Sequence, residues 1–246
     1  MRVLFVNPRS GSADSLSEVR RAAEQRGIEV RDLAELDPEG ADVVGVAGGD
    51  GSLAPVAAVA LERDLPFVVV PLGTRNHFAR DLGLDTDDPV AALDAFDAPE
   101  RGIDVGRVNG RVFLNNVSLG AYAAAVHEEG SGALGPLARW LLRFRRSPLR
   151  LGLDGEERSV FLLLVGNNEY DAGGRRDRLD AGTLSAYSLE HAPLLRLRRE
   201  TEAGTAFVVH ARTARVQAAI DGEPVELEAP LRFELEPRAL RVRIAG

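Results

Sequence analysis

The sequence predicts an N-terminal α/β domain, a parallel sheet with glycine-rich nucleotide loops, followed by a C-terminal domain that is a β-rich antiparallel sandwich. Three observations carry this expectation. Apolar strand-like runs alternate with amphipathic helical segments over the first hundred or so residues, the pattern of a parallel sheet covered on both faces. Three of those runs end in loops rich in glycine, hydroxyls or amides, at residues 7–12, 48–52 and 71–76. After Asp97-Ala98-Pro99-Glu100 the texture changes to short β-rich segments separated by turn signals. The expected division is 1–105 and 106–236, with a last strand at about 237–246 returning to the first domain.

The elements follow in order. Val3-Leu4-Phe5-Val6 reads as the first strand, and Leu16, Val19, Ala22 and Ala23 recur at the spacing of a helix face that Gly27 brings to an end. Ile28-Glu29-Val30 gives a second strand and residues 37–40 a loop. Val43, Val44, Val46 and Ala47 form a buried strand that stops at Gly48-Gly49-Asp50-Gly51, where glycine lets the backbone turn sharply and approach a bound group. Ser52 is expected to cap the next helix, which carries Leu53, Val56, Val59 and Ala60. Residues 66–70 form another apolar strand, and Phe78 and Leu82 belong to a helix beginning near Asn76. Asn109-Gly110 is a strong hairpin signal, with further strands at 160–165, 183–189, 206–210, 215–220 and 231–235.

Composition removes whole classes of function. The 246 residues suit one large or two modest domains, and a net charge of −8 argues against nucleic acid as a general partner. There is no cysteine, so disulfides, thiolate metal sites and cysteine nucleophiles are excluded. All 30 basic residues are arginine. Without lysine there is no Walker A loop, no kinase strand lysine and no Schiff-base chemistry. No apolar run reaches the length of a membrane span, so the expected location is the cytoplasm. A homodimer is left open.

The strand, glycine loop and helix start around Gly48 aim several N–H groups at one place, and phosphate is the usual occupant of such a cradle. A tight structural turn would explain the glycines equally, but not Asp50. A carboxylate repels a bare phosphate, so Asp50 points to a metal ion or a proton-accepting role beside the nucleotide. In open sheets of this kind ligands bind at the carboxyl ends of the strands, where all three polar loops converge.

Those loops carry a resemblance. Asn7-Pro8-Arg9-Ser10-Gly11, Gly48-Gly49-Asp50-Gly51-Ser52, the run 71–83 from Pro71-Leu72-Gly73-Thr74 onward, Ile103-Asp104-Val105-Gly106, Leu179-Asp180-Ala181-Gly182 and Asp221-Gly222-Glu223 appear in one order over nearly the whole chain. In this the sequence resembles the soluble diacylglycerol-kinase-like lipid kinases, relatives of sphingosine kinases in a superfamily that includes NAD kinases and phosphofructokinases. The resemblance implies an active site in a cleft between two domains and ATP held by Asn7, Ser10, Gly48, Gly49, Asp50, Gly51, Ser52 and Thr74. Asn76 reads as a helix cap that can also face the nucleotide, and Arg75 as a phosphate ligand or a solvated arginine. Mg²⁺ is expected with ATP. Asp50 is a candidate metal ligand, and Asp104 could support Asp50 or a metal-bound water, its reading as a turn residue before Gly106 standing beside that; Asp180 is the remaining candidate at a separate, structural Mg²⁺ site that the resemblance implies. Relatives often carry a second acidic residue where this chain has Ala181.

Two Asp-Gly-Glu tripeptides, at 154–156 and 221–223, are both hairpin turns on local grounds. Only the second matches the family's position, which makes Glu223 or Asp221 the candidate general base for an acceptor hydroxyl and leaves Glu156 without a role. Residues 133–147 form a basic amphipathic stretch around Trp140, readable as a packing helix or as a means of docking on an anionic membrane, with Arg175, Arg176 and Arg178 extending the same face. The reading is an ATP-dependent lipid kinase acting on diacylglycerol or a related alcohol. The alternatives are a same-fold kinase of a soluble acceptor and a non-catalytic nucleotide-binding regulator.

Overall fold

The computed structural model describes residues 1–120, 149–153, 156–171, 173–190, 196–202 and 205–245. The basic stretch around Trp140 and the Asp154-Gly155 turn lie outside the described residues. The chain divides into two compact units. One comprises Met1–Val105, Asp171–Ala181 and Pro237–Gly246; the other comprises Gly106–Tyr170 and Gly182–Glu236.

The first unit is α/β. Strands β1 (Arg2–Val6), β2 (Glu29–Asp32), β3 (Val43–Gly48) and β4 (Phe67–Pro71) are parallel in the order β4-β3-β1-β2. The far end of the C-terminal strand, β15 (Leu231–Arg243), adds Val242 and Arg243 in parallel beside Phe67 and Val68. Every residue of β3 and β4 is buried, which is why these strands read as unbroken apolar runs rather than alternating ones. Gly45 leaves room for a neighbour, since a Cβ there would stand 2.6 Å from Cζ of Phe96, on the 3-10 segment Ala91–Asp97.

Helix α1 (Ala13–Gln25) begins at Ser12, whose Oγ accepts the Ser15 N–H at 3.1 Å, and buries Val19, Ala22 and Ala23. Helix α2 (Asp50–Arg63) corrects the sequence reading. Gly49 is its N-cap and Ser52 lies inside its first turn, because the Gly48-Gly49 pair completes the turn before Asp50 and the helix starts three residues sooner. Ser52 Oγ instead accepts a hydrogen bond from Asn7 Nδ2 at 2.8 Å.

The second unit is antiparallel. It contains the end of β5 (Glu100–Val108), then β6 (Arg111–Phe113), β7 (Asn116–Gly120), β8 (Leu149–Leu153), β9 (Glu156–Asn167), β10 (Leu184–Glu190), β11 (Arg196–Glu202), β12 (Ala206–Ala211), β13 (Arg215–Ile220), β14 (Glu223–Glu228) and the start of β15. Pairing runs β14-β13-β7-β9-β8-β12-β15, with β10 attached to β9 and β11 to β10. Asn109 and Gly110 turn from β5 to β6 with φ of 47° and 80°, and Asp221 and Gly222 turn from β13 to β14 with φ of 49° and 89°. Both have the two positive φ values of the hairpin turn their sequences announce. The core gathers Val117, Leu163, Val165 and Phe113, with Phe207 stacked on Phe233 at 5.0 Å between ring centres.

Candidate active site

The register of β1, β3 and β4 brings three loops together. Phe5 pairs with Val46, Val46 with Val69, and Gly48 with Pro71. Asn7 N–H then donates to the Ala47 carbonyl and Leu72 N–H to the Gly48 carbonyl, each at 3.0 Å. Beyond the strand ends the loops press backbone to backbone: a Cβ on Gly73 would lie 2.4 Å from Gly49 Cα, and one on Gly48 would lie 2.6 Å from Ser52 Oγ. Gly49 and Gly73 are therefore required by the contact between their loops, and Gly48 by the closeness of Ser52 in its own loop, whatever else approaches them.

Asp50 is the first residue of α2. Its Oδ2 accepts the His77 N–H and its Oδ1 the Phe78 N–H, both at 3.0 Å. Those amides open α3 (His77–Asp81), so the carboxylate satisfies donors that a helix N-terminus leaves free and sits at the favourable end of its dipole. Asn76, buried with φ of 49°, precedes α3 but does not cap it through its side chain. Its Oδ1 accepts the Gly73 N–H at 2.9 Å and its Nδ2 donates to the Gly73 carbonyl at 2.7 Å, closing the turn. Thr74, Arg75 and His77 are left exposed, while Ser10 is half-buried and donates its N–H to the Asn7 carbonyl.

The other acidic candidates serve different contacts. Asp104 is fully buried within β5, not in a turn: the strand continues through Gly106, and a Cβ at Gly106 would strike the Phe113 ring at 2.2 Å. Asp104 Oδ1 accepts the Arg238 N–H at 2.8 Å, and its own N–H donates to the Leu179 carbonyl at 2.7 Å. Asp180 pairs with Arg178 at 3.1 Å and Arg238 at 3.2 Å. Burial works against its charge, but the bond and charge of Arg178, joined by Arg238 and Arg101, hold its carboxyl below the ordinary aspartate range. Among the described residues no group of three or more His, Cys, Asp or Glu stands together to hold a metal ion. Asp50, Asp104 and Asp180 do not stand together as one cluster; each carboxylate is engaged by separate amides or arginines.

In the second unit Asp221 is buried and Glu223 exposed. The Asp221 carboxylate accepts three backbone N–H groups, from Leu114 at 2.8 Å, Asn115 at 2.7 Å and Asn116 at 3.0 Å. That occupancy makes it a fastener of the hairpin turn. Glu223, first in β14, projects where an external group can reach it.

One pair escaped the sequence reading. Arg176, expected on a solvated basic face, is buried, and its Nε meets Asp81 Oδ2 at 2.7 Å. The run Arg175-Arg176-Asp177-Arg178 looks like surface charge, and the partner lies 95 positions earlier in the chain.

The chain joins a parallel α/β unit, whose strand ends present adjoining glycine-lined loops, to an antiparallel β unit, and its similarity to known kinases places it among the phosphotransferases with an alcohol group as acceptor. The diacylglycerol kinase catalytic domain matches residues 2–108. A protein of Pseudomonas fluorescens named "Probable lipid kinase YegS-like" is 32% identical over 231 residues, covering 80% of this chain and 75% of that one. A diacylglycerol kinase of Mycobacterium tuberculosis is 30% identical over 202 residues, covering 69% of this chain and 65% of its own. A diacylglycerol kinase structure from Bacillus anthracis superposes with a TM-score of 0.72 at 19% identity, covering 99% of this chain and 96% of that one. The chain belongs to the diacylglycerol-kinase-like lipid kinase family. No helix among the described residues is long and apolar enough to cross a membrane.

Proposed function

We propose that the chain transfers the γ-phosphoryl group of ATP to a hydroxyl of a lipid, diacylglycerol or a related lipid alcohol. The observation that supports this most is the meeting of three loops at the carboxyl edge of β1, β3 and β4, with Gly49 and Gly73 in backbone contact. In this reading the amides of residues 48–52 and the hydroxyls of Ser10 and Thr74 hold the phosphates. Ser52 Oγ accepts from Asn7, so its own proton remains to be donated to a phosphate oxygen. With no lysine in the chain, the exposed Arg75 on the same loop supplies positive charge. Asp50 sets the loop's direction through its two amide bonds rather than facing the phosphate as a bare charge.

The acceptor oxygen forms a bond to the γ-phosphorus, the bond from that phosphorus to the β–γ bridging oxygen breaks, and ADP departs. Glu223 takes the acceptor's proton, a role for which Asp221, with three amides on its carboxylate, is the poorer candidate. Mg²⁺ would arrive with ATP, where it would neutralise charge on the phosphates. The lipid is met at a membrane surface, where the basic stretch around Trp140 is the proposed point of docking.

The test is incubation with labelled ATP, Mg²⁺ and a total lipid extract, followed by identification of the labelled product. A labelled phospholipid is expected. Label confined to a water-soluble phosphate ester would replace the lipid with a soluble acceptor. Tight ATP binding with no labelled product from either source would leave a nucleotide-binding regulator.

A further inference from the structure

The first unit contains an ion pair that the phosphate loops do not use. Arg176 and Asp81 have side chains 0% and 4% exposed. Arg176 Nε donates to Asp81 Oδ2 at 2.7 Å, and the Arg176 main-chain N–H to Oδ1 at 3.3 Å. The guanidinium also lies over the Phe78 ring, 5.8 Å from its centre. Asp81 is the last residue of α3 and Phe78 its second. Beside them Arg175 Nη2 reaches the Arg80 carbonyl at 3.4 Å.

Helix α3 has five residues, too few to hold a helical shape by its own hydrogen bonds. It is held from outside at both ends. Asp50 receives its first two amides, and Arg176 grips its last carboxylate and covers the ring between. The segment Asp171–Ala181 that carries Arg176 is itself fixed, through the Leu179 carbonyl on the Asp104 N–H and through Asp180 between Arg178 and Arg238. A chain of named contacts therefore runs from the core of β5 through Arg176 and α3 to Asp50, and Asp50 opens the helix that follows the glycine loop.

We infer that Arg176 is a positioning residue for the nucleotide loop: by fixing α3 it fixes the two amides that orient the Asp50 carboxylate. This rests on the reading of residues 48–52 as the phosphate site. A contact serving stability alone has a simpler solution, because a buried ion pair rarely stabilises more than well-packed apolar side chains of the same volume. What the pair supplies beyond apolar packing is direction, since Nε and the main-chain N–H of Arg176 take one carboxylate oxygen each and so fix angle as well as distance.

The test compares ATP affinity, and hydrogen exchange at the His77 and Phe78 amides, in wild type, Arg176→Lys, Asp50→Asn and the double variant. Arg176→Met leaves Asp81 buried without its cation and can simply unfold the unit. Arg176→Lys keeps the charge and loses the Nε donor and the planar group over Phe78, so it carries the test. Arg176→Lys is expected to weaken ATP binding by about tenfold and to speed exchange at the two amides. In the double variant the loss should be smaller than the product of the two single losses, because both changes act on the same two amide contacts. Losses that multiply in full, or a lower melting temperature with unchanged ATP affinity and unchanged exchange, would overturn the inference. If wild type itself binds no ATP, the reading of the loop fails separately. The exchange rates then decide the clamp alone: faster exchange in Arg176→Lys upholds it, and unchanged exchange overturns it.

Discussion

A carboxylate one position after a pair of glycines would repel a phosphate if it faced one, and Asp50 faces two amides of α3 instead. This changes what its replacement should do. In Asp50→Asn one oxygen becomes an NH₂ group, which meets an N–H where an acceptor stood. The variant should lose phosphoryl transfer and also about 1–3 kcal/mol of stability, the cost of leaving a donor unsatisfied. Urea unfolding and turnover read the two effects separately, and wild-type turnover would reduce Asp50 to a turn residue. Gly49 carries a second expectation. A side chain there starts 3.1 Å from Gly73 Cα, so Gly49→Val must push the two loops apart. ATP affinity in a calorimetric titration should fall; an unchanged value would move the phosphate site elsewhere. Read from the sequence, Asp50 is a metal ligand or a proton acceptor; the structure adds the orientation of a helix start to its work. Its amide partners lie 27 and 28 positions away in the chain, and no local pattern announces them.

At the level of elements, the first unit is closed by charge as well as by strand pairing. Glu100, at the start of β5, receives Arg243 at 2.9 Å and Arg241 at 2.8 Å from the end of β15. The Arg243 hydrogen bond is the largest influence on its carboxyl; burial opposes it, Arg241 adds to it, and the net effect lowers the pKa. A depressed folded value means that the stabilisation is fully present above the ordinary glutamate pKa of about 4.3 and disappears as pH falls through the folded value. Wild type should therefore melt above Glu100→Gln at neutral pH, with the gap closing under acid conditions, below about pH 4. A gap that persists unchanged at low pH would show that the carboxylate's charge contributes nothing. Elements were legible where burial was two-sided or the turn chemistry unambiguous, as in β3, β4, Asn109-Gly110 and Asp221-Gly222. Others were not. Strand β7 has a short Asn-Val-Ser-Leu-Gly alternation, and β11 is written mostly in charged residues. Arg176 shows the general difficulty, since a buried arginine and a solvated one have the same letter until the partner is placed.

Across the whole molecule, the residues proposed for binding and the residue proposed for proton transfer fall in different units of the chain. The proposed phosphate ligands all belong to Met1–Val105, whereas Glu223 belongs to Gly182–Glu236. A variant in one should therefore leave a different kinetic signature from a variant in the other. Gly49→Val should raise the apparent Kd for ATP, and any fall in turnover should be recovered in part at high nucleotide. Glu223→Gln keeps size and polarity but cannot take a proton at neutral pH, so turnover should fall by roughly 10²–10⁴-fold with ATP affinity unchanged. Glu156→Gln, in the other Asp-Gly-Glu tripeptide, is the control and should stay near wild type. Asp221→Asn is expected to behave as neither. Its carboxylate fastens the amides of residues 114–116, so its loss should appear first as a lower melting temperature of the folded chain. Turnover measured on the fraction that remains folded should be far closer to wild type than that of Glu223→Gln. If Asp221→Asn instead abolishes turnover with its melting temperature intact, while Glu223→Gln remains active, the proton goes to Asp221 and the exposed glutamate is only the residue that begins β14.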